Sequence, residues 1–177
     1  MEIERLNLIG VDNKAMSLFK DIALIVSFAL ITGICAGIRI EIGMVPVTMQ
    51  TLAALLSGAL LGSKRGALSQ LTYLLMGVSG IFWFAHGGGM AYILSPTFGY
   101  IIGFILASYV VGLLRGKGIL FALFIGNIVL YVPGLLWLSA FTGFEKALSI
   151  GLFPFILGDA VKIFLAGLII NVKNYLK

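Results

Sequence analysis

Asp159 and Lys162 stand three residues apart inside GLFPFILGDAVKIFLAG, the last long apolar run of the sequence. Each ionised side chain costs about 2.5–3.5 kcal/mol at the centre of a membrane helix, so something must hold both there. On a helix their i, i+3 spacing puts them on one face, where they partly neutralise each other. Three chemistries fit such a pair: a structural ion pair between helices, a ligand contact that offers an acceptor and a donor together, and a proton relay. Asn127, in the middle of the preceding run, adds an amide that needs partners in a medium without water. It can bond helix to helix or contact a ligand. Pro133 and Gly134 further along predict a kink that opens space beside Tyr131.

A second group of residues lies in the connection FAHGGGMAYILSP, Phe84 to Pro96, which joins three consecutive glycines to the only histidine, His86, and to Tyr92. Glycine lets backbone approach a ligand closely or fold over it, so this loop is a candidate lid. Other motifs fail. The stretch GLLRGKG, Gly112 to Gly118, lacks the spacing and the Ser or Thr of a phosphate-binding loop. His86 has no second His or Cys at ligand spacing, so no metal site is expected. An aspartyl enzyme would need a second buried acid beside Asp159, whereas Glu41 and Glu145 fall in connections.

The elements that must position these groups follow from composition. Of 177 residues, 60% are apolar and 11% charged, far from the soluble norm of about 25% charged. A span takes about 20 residues, so spans and short loops consume the chain and leave no soluble domain. The expected fold is an all-α membrane protein, one transmembrane domain over 1–177, with spans near 21–38, 47–62, 66–84, 97–114, 119–139 and 152–172. Pro46 fits the first turn of the second span. Residues 1–20 predict a cytoplasmic or interfacial amphipathic segment, with no removable signal peptide. Cys35 lies alone in the first span, so no intrachain disulfide forms. Small residues recur every four positions at Ala29, Gly33, Gly37, at Ala54, Gly58, Gly62, and at Gly99, Gly103, Ala107, which suits close helix packing within the chain or against a partner.

The net charge of +5 is scattered and does not form a nucleic-acid face. It reads as topology. Arg5, Lys14, Lys20, Lys64, Arg65, Arg115, Lys117, Lys173 and Lys177 fall on one side and only Arg39 and Lys146 on the other, which predicts cytoplasmic termini. Asp159 then lies roughly 10 Å below the outer end of the sixth helix at 1.5 Å per residue. The glycine loop, Thr48, Gln50, Tyr92 and Tyr100 belong to the same outer half, so a pocket is expected there.

The sequence resembles the biotin-specific S components (BioY family) of energy-coupling factor transporters. The segments that carry the resemblance are VPVTMQTLAALLSGALLGSKRGALSQLTYLLMG with FAHGGG and SPTFGYIIGF, within Val45–Phe104, and GLFPFILGDAVKIFLAG, Gly151–Gly167. The resemblance implies a six-helix S-component bundle in a prokaryotic cell membrane that captures biotin. Its partners would be a transmembrane coupling (T) protein and two cytoplasmic ATPases, which use the ATP; the chain itself would hold no cofactor. Ala29, Gly33 and Gly37 match where such subunits dock on the coupling protein. For the ligand, Asp159 would accept from the ureido N–H groups, Lys162 and Asn127 would donate to its carbonyl with Gln50 nearby, and Phe82, Trp83 and Tyr92 would wall the ring. Arg39, His86 or the glycine amides would take the carboxylate. His86 departs from the family pattern, which has asparagine or a small residue in this loop. Alternatives are an S component for another vitamin, a proton-coupled carrier using Asp159 and Lys162, and a membrane enzyme.

Overall fold

Without water to satisfy backbone N–H and C=O groups, an apolar chain in a bilayer folds into helices. The computed structural model describes the backbone of residues 2–175 and the side chains of residues 13–172. Arg5, Lys173 and Lys177, used in the charge count, lie outside the described side chains. Helix α1 runs Glu2–Gly37, α2 Gln50–Leu61, α3 Ser63–Val78, α4 Phe98–Leu114, α5 Ile119–Thr142, α6 Phe144–Gly151 and α7 Ile156–Tyr175. Counting α6 and α7 as one interrupted pass, six helical passes result. Among the described residues four helices are long and apolar enough to cross a membrane, namely Asn13–Gly37, Phe98–Lys117, Ile119–Thr142 and Phe144–Val172, whereas α2 and α3 are shorter.

The differences from expectation have local causes. No break separates residues 1–20 from the first span, because that segment continues into α1 as one helix. Pro46 is not in a first helical turn. The chain ahead of α2 is drawn into a two-stranded antiparallel ribbon, β1 Arg39–Ile40 with β2 Val47–Thr48, and α2 begins only at Gln50. Residues 144–151, expected as a connection, form α6, started by Gly143 at φ 81° and followed by the 3₁₀ turn Phe153–Phe155 around Pro154. Helix α7 therefore starts at Ile156, and Asp159 lies in its first turn, where the helix dipole favours an anion.

Small residues set how closely the helices approach. Gly62, at φ 88°, reverses the chain between α2 and α3 without a spacer. A β-carbon at Gly58 would collide with the Ser108 carbonyl of α4, and one at Gly103 with the Leu130 carbonyl of α5. The stripes in the second and fourth spans are thus used inside the chain. In α1, Ala29 is fully buried and the Trp83 ring lies over Gly33, leaving Gly37 open. A buried polar knot joins four helices: the Gln70 amide donates to Thr32 Oγ1 at 3.1 Å and to Ser57 Oγ at 3.2 Å, and Ser57 and Ser108 hydroxyls meet at 2.7 Å. With every member bonded, the knot fixes register among α1, α2, α3 and α4.

Candidate functional site

Where the ribbon, the loop ahead of α4 and the turn at Phe155 meet α2, α4 and α5, a cavity opens with about 490 Å³ of empty space, its open mouth included. Val45, Pro46 and Thr48 come from the ribbon strand, Gln50 and Thr51 from the start of α2, and Ala85, Tyr92 and Thr97 from the loop. Tyr100, Ile101 and Phe104 of α4, Leu130 and Tyr131 of α5, and Phe155 complete an apolar wall with a few polar groups, the usual build of a small-molecule site.

The polar wall is already hydrogen bonded in part. Thr48 Oγ1 donates to Gln50 Oε1 at 3.0 Å, and the Gln50 amide donates to the Tyr73 hydroxyl. Tyr73 in turn donates to the Trp83 carbonyl at 3.1 Å, and the Trp83 indole returns a bond to the Tyr73 carbonyl at 3.1 Å. On the loop side the Tyr92 and Thr97 hydroxyls meet at 2.9 Å. Burial pushes the Tyr92 phenol up from its ordinary range, so it stays protonated. The Tyr100 hydroxyl donates to the Gly151 carbonyl at 2.8 Å and ties α4 to α6.

Behind the Tyr131 ring lies the charged cluster. Lys162 Nζ donates to Asp159 Oδ1 at 3.0 Å, Asn127 Nδ2 donates to Asp159 Oδ2 at 3.1 Å, and the Tyr131 hydroxyl donates to the same Oδ2. Asp159 is 3% exposed and Lys162 5%. The pair survives burial because three donors from two helices surround one carboxylate. One group is unanswered: Asn127 Oδ1 is buried with no partner. A buried acceptor without a donor costs about 1–3 kcal/mol, so such an atom marks a place for a water or a ligand donor.

Of the residues singled out in the sequence, Gln50 and Tyr92 line the cavity, and Asp159, Lys162 and Asn127 form one cluster beneath it. Phe82 and Trp83 are not among the lining residues. The turn at Gly80 throws Phe82 outward to 83% exposure, and Trp83 is held against Tyr73 and Gly33 instead. Arg39 and His86 both reach Glu41, at 2.7 Å and 3.1 Å, and link ribbon to loop at the surface. Hydrogen bonds from His86 and then Arg39 hold the Glu41 carboxyl below its ordinary range. Sequence reading missed Tyr131 as a site residue, although it follows Asn127 by one helical turn, which puts the two on one face. It also missed Thr51 and Thr97, whose hydroxyls carry no signal beyond their neighbours.

A bundle in which four helices are long and apolar enough to cross a membrane, around a cavity with buried charges at its foot, defines an integral membrane protein. The sequence profile of the BioY family matches residues 10–176. The chain belongs to that family. A protein of Pyrococcus horikoshii named as a probable biotin transporter is 44% identical over 144 residues, 81% of this chain and 89% of that protein. The biotin transporter BioY of Thermotoga maritima is 37% identical over 149 residues, 80% of this chain and 88% of the relative. A crystal structure of the S-component for biotin from an ECF-type ABC transporter shares the fold, with TM-score 0.79, 24% identity, and coverage of 90% of this chain and 93% of that one. The relatives are named as transporters, not enzymes.

Proposed function

We infer that this chain is the biotin-capturing S component of an energy-coupling factor transporter, working in a prokaryotic plasma membrane with both termini in the cytoplasm. The observation that carries the reading is the cluster of Asp159, Lys162 and Asn127 at the foot of the cavity, with the unpartnered Asn127 Oδ1 in it. A ureido group brings two N–H donors and one carbonyl acceptor. Asp159 and Asn127 Oδ1 suit the donors, and the Lys162 ammonium suits the carbonyl. The fused ring then rests on Ile101, Phe104, Leu130 and Phe155. The valerate extends toward the ribbon and the loop, where Arg39, His86 and the glycine amides are the available donors. Membership of the BioY family and the names of the relatives support the ligand. The described residues supply helices and a cavity, so ATP hydrolysis falls to a coupling protein with two ATPases, which receive the filled subunit.

Thermal unfolding of the purified chain against a vitamin panel tests the reading. Biotin should raise the midpoint progressively once its concentration exceeds Kd, as the stabilisation reaches about 2.7 kcal/mol at a hundredfold excess. A shift with riboflavin or thiamine and none with biotin would mean another substrate.

A further inference from the structure

The cavity and the charged cluster do not touch directly. Asp159, Lys162 and Asn127 are absent from the cavity wall, and Tyr131 is the lining residue that bonds to Asp159. We propose that Tyr131 is a gate whose phenol occupies the site on Asp159 Oδ2 that a ligand donor takes over; this rests on the biotin reading of the same site. Asp159 Oδ2 already accepts from Asn127 and Tyr131, while Oδ1 accepts from Lys162 alone, so a ureido N–H reaches Oδ2 only by displacing one of its two donors. Both side chains are about equally buried, but Tyr131 lines the cavity and Asn127 does not, and so Tyr131 is the donor that gives way.

Two further observations agree. Asn127 Oδ1 waits for a donor in the same cluster, so a ligand that reaches past the phenol finds an unfilled acceptor as well as the one it vacates. The helix also lacks one backbone hydrogen bond there. Pro133, two residues beyond Tyr131, has no N–H, which leaves the Val129 carbonyl without its i+4 donor, and Gly134 lets the Tyr100 ring lie against the backbone. The edge-on contact of Tyr131 with Tyr100, ring centroids 6.3 Å apart, guides the phenol as it swings. The gate also sets specificity. A ligand that gives one donor to Asp159 replaces the bond that opening breaks, and a second donor fills Asn127 Oδ1, as a cyclic urea does and a lactone of equal shape does not.

Tyr131→Phe keeps the ring and deletes the competing hydroxyl. Calorimetric titration of the full chain with biotin, paired with stopped-flow association, should show a Kd about tenfold lower than wild type and faster association, because one charge-assisted bond no longer has to break first. The ligand-free variant should unfold at a lower temperature than wild type, since Asp159 has lost a donor. Should the phenylalanine variant not fold, Tyr131→Met, which also lacks the hydroxyl, serves in the same titration. Unchanged or weaker binding by a folded variant, beside a wild type that binds biotin, overturns the gate and leaves the biotin reading standing. A wild type that binds no biotin removes both.

Discussion

Taking the carboxylate from Asp159 leaves the Lys162 ammonium as an unpaired cation with 5% exposure. Breaking a buried pair from one side costs about 3–5 kcal/mol, whereas replacing both partners with neutral side chains is often close to neutral. Asp159→Asn alone should therefore lower the thermal midpoint sharply, and Asp159→Asn with Lys162→Met should recover much of the loss. Neither variant should bind biotin. A double variant that regains stability and binding together would assign the pair a purely structural role. These two residues were legible in the sequence because charge inside an apolar run is conspicuous. Their partner Tyr131 was not, since a tyrosine among membrane helices is ordinary until its hydroxyl is seen to meet a carboxylate.

Helix crossings decide whether that cluster can sit beneath the cavity at all. α2 carries Gln50 and Thr51, and its separation from α4 is set at Gly58, where a β-carbon meets the Ser108 backbone. Gly58→Ala should cost about 1–3 kcal/mol by overpacking and should weaken ligand binding as α2 shifts. At Gly37 a β-carbon has nothing within 4 Å, so Gly37→Ala should stay within about 0.5 kcal/mol in the same unfolding assay. The four-residue spacing of small residues announced such crossings but not their partners, because the spacing is the same whether a stripe meets its own chain or another. Helix boundaries in the middle of the chain lie within a few residues of the expected spans except at the third, expected to reach 84, where α3 ends at Val78 and the turn at Gly80 follows. They failed around Pro46 and Pro154, where strand pairing in one case and a 3₁₀ turn in the other overrode the apolar pattern.

For the molecule as a whole, loop charge predicts that the glycine loop faces outward and the Arg115–Lys117 turn inward. In a Cys35→Ala background, Met90→Cys should react with a membrane-impermeant maleimide in intact cells, and Lys117→Cys only after the membrane is opened; both positions are exposed. The reverse pattern would invert the topology. Arg65 on Asp21 at 3.2 Å, and Arg115 on the Ala59 carbonyl at 3.2 Å, fasten the short helix pair to its neighbours on that second side. That pair has a further effect on its surroundings. With 12 and 16 residues, α2 and α3 reach roughly 18 and 24 Å at about 1.5 Å per residue, against a hydrocarbon layer of about 30 Å. Helices α1 and α5, with 36 and 24 residues, are long enough to span the full layer, so the bilayer should thin beside the hairpin. Bilayer thickness thereby becomes a variable acting on the helix that carries Gln50 and Thr51, and acyl-chain length bears on ligand capture without any lipid entering the cavity.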